Sequence, residues 1–156
     1  MSKQIPLTQG QFAIVDDWRF TELSQWIWYA CWSERTQSFY ATRIERGTRK
    51  RIQMHRFIMN TPKGMECDHR SHNTLDNQEH NLRNATRSQN AMNGRLRSSS
   101  RLRQKNITFH HNHYWVRIKK DYEIVYRENF KTLDEAINAR DKALKQHHGE
   151  FANFGE

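Results

Sequence analysis

Apolar residues are sparse in this chain, and their spacing changes from segment to segment. In "QFAIVDD" (11–17) they alternate with polar ones, the period of a strand running into a turn. "WRFTELSQWIWYACW" (18–32) has mixed spacings, and Leu23, Trp26 and Ile27 suit a short helix that gives way to a strand. "SFYATRIERGTRKRIQMHRFIMN" (38–60) predicts two strands around a turn at "RGT". Toward the other end, "ITFHH" (107–111), "YWVRIKK" (114–120) and "EIVYREN" (123–129) read as three short strands. "TLDEAINARDKALKQHHG" (132–149) then places Leu133, Ala136, Ile137, Ala139, Ala143 and Leu144 on one helical face. Thr132 and Glu135 form a capping box at its start, and Gly149 is a natural stop. The middle, residues 65–95, is different: Met65, Leu75 and Leu82 are its main apolar side chains, so this stretch cannot be core.

Composition narrows the class. Hydrophobic residues make up only 35% of the 156 positions, but five Trp and eight Phe are too many for a disordered chain. Compact modules with small aromatic-rich cores follow, and Trp18, Trp26, Trp28 and Trp32 read as core side chains. A formal charge of +9 points to a polyanion, most simply nucleic acid. The cations cluster. Arg43, Arg46, Arg49, Lys50 and Arg51 surround the "RGT" turn and make a candidate phosphate patch. Arg95, Arg97, Arg101, Arg103 and Lys105 lie in "GRLRSSSRLRQK" (94–105), a Ser-rich stretch without periodicity that reads as a basic linker able to track a phosphate backbone. Cys31 and Cys67 form no CxxC pair, which speaks against structural zinc and a disulfide framework and for a reducing cytoplasm. No stretch approaches the roughly 18 apolar residues of a membrane span.

The polar middle carries the chemistry. Thr86 and Gln89 stand at capping-box spacing, which predicts a helix from about Arg87, with Asn90 in its first turns. The order strand, loop, strand, helix can bring Asp68 and Asn90 together. Two oxygen donors of this kind, with waters and a phosphate oxygen, suit magnesium or manganese rather than zinc. The bland alternative is that these Asp, Asn and His residues cap turns, as Asn and Asp commonly do.

The stretch "CDHRSHNTLDNQEHNLRNATRSQN" resembles the HNH nuclease motif, a ββα-metal finger, in the version found in phage intron-encoded and free-standing homing endonucleases. The resemblance implies that His69 is the general base, that Asn81 orients its imidazole, and that Asp68 and Asn90 hold one divalent metal. His80, beside Asn81, falls instead on the exposed face of a short helical turn. Such a site suits phosphodiester hydrolysis: a His near neutral pKa takes the proton of the attacking water, and a cation neutralises the phosphate.

The flanking segments also have relatives. "VDD…LSQWIWYA…ATRIERGTRKRIQMHRFIM" resembles the region preceding the finger in phage HNH proteins, with His55 and Arg56 in its "HR" strand and Arg56 a possible phosphate contact. "WVRIKK…FKTLDEAINARDKALKQHHGEFANF" is similar to the DNA-binding domain of plant ethylene-response factors, which lays a three-stranded sheet in the major groove with a helix behind it. Here "KNITFHH" replaces the usual glycine-containing start, so only the docking mode carries over, and Arg117, Lys119 and Arg127 are the candidate DNA contacts.

The expectation is an α+β protein: an N-terminal α+β DNA-contacting unit (1–64), the finger (65–95), the linker (96–105) and a C-terminal three-stranded antiparallel sheet packed on one helix (106–156). The expected activity is site-specific cleavage of double-stranded DNA by a monomer or dimer in a host cytoplasm. The alternatives are a DNA-binding regulator with an inactive finger and a low-specificity HNH nuclease.

Overall fold

The computed structural model describes residues 1–96 and 100–155. They divide into two compact units, Met1–Ala85 and Thr86–Glu156. The chain is of the α+β class, built from small antiparallel sheets with helices against them.

The first unit opens with a hairpin of β1 (Ser2–Pro6) and β2 (Phe12–Asp16), in which Ile5, Ala13 and Val15 turn inward. Helix α1 (Asp17–Leu23) follows directly, earlier than the pattern predicts, because the apolar residues Phe20 and Leu23 already sit one turn apart. Trp26 and Ile27 lie beyond its end, and Ile27 is exposed. A three-stranded sheet orders β3 (Tyr29–Ser33), β4 (Ser38–Ile44) and β5 (Arg51–Gln53). The expected second strand after "RGT" is thus only three residues long. "MHRFI" forms helix α2 (Met54–Ile58) instead of an "HR" strand, since Met54 and Ile58 then reach the core together. A second hairpin pairs β6 (Glu66–His69) with β7 (Leu82–Ala85). Core residues Val15, Leu23, Trp28, Met54, Ile58 and Leu82 join these elements.

The tryptophans do not all enter that core. Trp28 is buried and donates Nε1–H to Leu23 O at 2.8 Å, and Trp26 packs against the core edge. Trp18 is 62% exposed and Trp32 43%, so the core reading fails for these two. Each has a polar or aromatic neighbour that tolerates solvent: Arg19 lies over Trp18, and Trp32 meets Phe39 edge to face.

The second unit starts with α3 (Arg87–Met92), whose capping box joins Thr86 and Gln89 as expected. β8 (Ile107–His110), β9 (His113–Lys120) and β10 (Glu123–Phe130) form an antiparallel sheet in the order β10-β9-β8. Helix α4 (Leu133–His148) begins at the Thr132–Glu135 capping box and ends at Gly149, whose φ is 54°. Its acidic first turn and basic last turn both favour the helix dipole. Ile107, Val116, Ile118, Ala136, Ala143 and Leu144 are the core between sheet and helix.

The segment read as a linker is partly built into this unit. Leu102 packs on the core, and Lys105 Nζ donates to Met92 O at 2.7 Å. Ser88 Oγ accepts from Asp121 N at 2.9 Å, which ties α3 to the turn after β9.

Candidate active site and nucleic-acid interface

The loop between β6 and β7 explains much of the polar stretch. Ser71 Oγ accepts from Asn73 N, Asn73 Oδ1 from Leu75 N, and Asp76 Oδ1 from Gln78 N. These are the turn-capping bonds that short polar side chains make in place of regular structure. The loop is also fastened to its surroundings. Asn77 N donates to Ile14 O at 2.7 Å, Thr74 Oγ1 to Phe39 O at 2.6 Å, and Glu79 N to Asp16 Oδ2 at 2.8 Å. His80 lies exposed on the one-turn 3-10 helix Glu79–Asn81, where the sequence puts it.

What remains after the turn caps is a buried group. His69 is the last residue of β6 and only 5% exposed; Asp68 before it is 6% exposed. Side chains of neighbouring strand residues leave on opposite faces, yet both are covered, because β6 ends inside the unit. Burial drives the imidazole of His69 down to about 4. The nearby Asn77 amide and the Asp68 and Asp76 carboxylates pull the other way and do not overcome it. The ring is therefore neutral near pH 7 and able to accept a proton.

Asn81 is placed to hold the loop. Its Oδ1 accepts from Ser71 N at 3.0 Å, its Nδ2 donates to Asp76 O at 2.8 Å, and its carbonyl accepts from Arg70 N at 2.8 Å. Asn81 fixes the backbone on either side of the loop, and the side-chain amide beside His69 belongs to Asn77, which is 1% exposed.

Asp68 faces Arg83 across the hairpin, the two being direct register partners. Arg83 Nε and Nη2 both reach Asp68 Oδ2 at 2.8 Å, and the side chains are 7% and 8% exposed. A buried carboxylate needs such a counter-charge. Asp68 offers a carboxylate and Asn90 an amide oxygen, donor types that each suit a hard cation such as magnesium or manganese. Asn90 stands half-buried on α3, in the second unit. Among the described residues no cluster of three or more His, Cys, Asp or Glu groups is arranged to hold a metal. Cys67, with its thiol pushed up to about 11 by burial, is protonated at neutral pH.

The candidate DNA contacts fall into distinct settings. Arg43 is not a free hairpin-tip cation: its guanidinium lies 4.6 Å from the Trp26 ring centroid and 5.6 Å from those of Trp28 and Phe57. Arg56 is half-buried and donates Nη1–H to Met65 O at 3.1 Å, a packing role. Arg49, Lys50 and Arg51 are exposed around the turn after β4. Arg95, Arg101 and Arg103 are exposed in the second unit, and Arg97 lies outside the described residues. Arg117 and Lys119 alternate with the buried Val116 and Ile118, so they occupy the sheet face turned away from α4. Arg127 is opposite Arg117 in the β9–β10 register and lies 5.2 Å over Trp115 on that face.

Tyr40, His55 and Asn77 neighbour His69, and Arg83 pairs with Asp68; of these the sequence names only His55, and there as part of an "HR" strand. Arg83 was within reach, being part of "NLR" on a predicted strand facing the Asp68 strand. Tyr40 and His55 come from elements whose packing no local pattern reveals.

Compared with family models, with curated proteins and with solved structures, the chain matches none. No helix among the described residues is long and apolar enough to cross a membrane.

Proposed function

We propose that this protein is a DNA endonuclease of the HNH type, with His69 as its base and the sheet of the second unit locating its site. The observation that carries this reading is the buried His69 beside the buried Asp68, at a strand end whose loop is pinned by Asn81. A strand end this polar is costly to bury unless its groups have a task.

In this reading His69 takes the proton of the attacking water; burial keeps it unprotonated but lowers its basicity, and a bound phosphate or cation would change that environment. Asn77 and the Asn81-held loop keep the imidazole in place. Arg83 supplies the counter-charge that lets Asp68 remain buried. Asp68 and Asn90 would hold a divalent cation, which when bound neutralises the phosphate and supports the leaving 3′ oxygen. The exposed face bearing Trp115, Arg117, Lys119 and Arg127 offers cations and an aromatic plane to double-stranded DNA.

One observation favours a second reading, a DNA-binding regulator with an inactive finger: Arg83 already occupies Asp68 Oδ2 with two bonds. The test is supercoiled plasmid incubated with the purified protein, with and without magnesium or manganese. Metal-dependent cleavage to discrete products is expected. Binding without cleavage would favour the regulator, and cleavage without a product pattern the low-specificity nuclease.

A further inference from the structure

Tyr40 on β4, His55 on α2 and His69 on β6 form a closed triangle of rings. The centroids of His55 and His69 are 4.9 Å apart, those of Tyr40 and His55 5.5 Å, and those of Tyr40 and His69 6.2 Å. The interplanar angles are 63°, 50° and 62°, so no two rings stack flat and each meets its neighbours at an angle. We propose that Tyr40 and His55 are positioning residues that hold the plane of the His69 imidazole. This rests on the reading of His69 as a base.

The argument starts from His55. It is 5% exposed, and its Nδ1 is buried without a hydrogen-bond partner. Among the described residues its side chain makes no hydrogen bond; the bond from Cys67 Sγ goes to its carbonyl. An imidazole kept inside a protein without hydrogen bonds contributes by its surface. That surface faces His69 and Tyr40.

Both neighbours are firmly seated. Met54, preceding His55, is fully buried in the core, and Ile58 one turn later is buried as well. Tyr40 precedes the buried Ala41 and pairs with Cys31 in the middle of the β3–β4 ladder. A histidine at a strand end has a broad second torsion. Two fixed rings against it restrict that freedom together with the Asn77 amide, while the loop bonds of Asn81 set the backbone. Orientation of this kind is worth as much as about a hundredfold when a reacting group is displaced by 1 Å.

Two readouts test the clamp. Steady-state cleavage by His55→Ala is expected to show kcat lower by about ten- to a hundredfold with KM within twofold. His55→Phe, which restores a ring, recovers most of that loss. Relaxation of the His69 ring 13C–H signal, followed without metal or DNA, is expected to show a rigid ring in the wild type and a mobile one in His55→Ala. Should His55→Ala fail to fold, Tyr40→Ala reads the same ring. A His69 ring as rigid in the folded variants as in the wild type overturns the proposal, as does a loss that falls on KM. If the wild type cuts no DNA, the nuclease reading fails, and the ring measurement alone decides whether the clamp exists.

Discussion

In residues Met1–Ala85 the buried polar side chains other than Thr42 converge: His55, Asp68, His69, Asn77, Asn81 and Arg83 all lie on or beside the β6–β7 hairpin. In Thr86–Glu156 they are dispersed, and each has a structural partner. Arg140 bonds Asp141, Gln104 and the carbonyl of Lys105, His148 bonds the carbonyl of Lys119, and Asn93 accepts from Asn153. Apart from the buried Arg140 and the half-buried Lys105, the second unit's described cations are exposed, among them Arg117, Lys119 and Arg127 on the sheet face turned away from its apolar core. Concentrated buried polarity is what chemistry at a pH-sensitive group requires, and dispersed surface charge is what gripping a polyanion requires. Under the proposed function the contrast corresponds to different work in the two units, and each prediction below acts on one side of it.

The largest effect is expected at the base. His69→Ala removes the proton acceptor and leaves Asp68, Arg83 and Asn90 in the chain. Cleavage in magnesium should fall by about two to four orders of magnitude, with DNA affinity in a filter or anisotropy assay within a few-fold of wild type. A variant that still cuts at the wild-type rate would move the chemistry elsewhere.

Next in size is the buried ion pair. Arg83→Met leaves the Asp68 carboxylate buried without its counter-charge, which should cost about 3–5 kcal/mol of unfolding free energy in urea. The double variant Arg83→Met with Asp68→Leu should recover most of that cost, because an apolar pair of similar volume is often as stable as a buried ion pair. A single-variant loss under about 1 kcal/mol would indicate a solvated pair of the surface kind.

These residues show where the sequence was legible. The strands and capped helix of residues 106–149 follow from alternation and helical spacing because that unit solves one problem, covering one sheet with one helix. The capping box at Thr86 and the exposed His80 were readable for the same local reason. In the first unit the pattern misjudged α1, turned α2 into a strand and assigned Trp18 and Trp32 to the core. There, several short elements share one core, and tertiary packing outweighs period. The quoted polar run located Asp68, His69 and Asn81, whereas Asn77, Arg83, His55 and Tyr40 depend on register and on which elements meet.

Acid should separate the units further. In the unfolded chain His55 and His69 take up protons near 6.5, whereas in the fold burial holds them at about 3 and about 4. Below about pH 6.5 the unfolded state therefore binds more protons, so stability is present above that pH and is lost as the pH falls toward 4. His148 is lowered in the same direction, chiefly by desolvation, and is the second unit's counterpart. The expected outcome is a loss of roughly a few kcal/mol between pH 7 and pH 4.5, larger for the first unit. Urea titrations followed on the Val15 and Val116 methyl signals at both pH values read the units apart. Equal losses would mean that the first unit's histidines are not buried more costly than His148.

The smallest expected effect concerns the sheet face. Arg117 and Arg127 are direct partners across β9 and β10, and like charges placed opposite each other weaken a ladder by a few tenths of a kcal/mol. Arg127 is partly compensated by lying over Trp115, whereas among the described residues no ring lies beneath Arg117. An arrangement that costs stability in the free protein becomes favourable when a phosphate sits between the cations. Arg117→Thr keeps a good strand former and removes one charge. Unfolding of the second unit should then be unchanged or slightly harder, while DNA affinity falls and the slope of log K against log salt becomes shallower by about 1. Opposite signs for stability and binding are the signature of a face built for a polyanion. If Arg117→Thr lowers stability and leaves the salt slope unchanged, the cations serve the fold, and the grip on DNA must be sought at Arg49, Lys50 and Arg51 in the first unit.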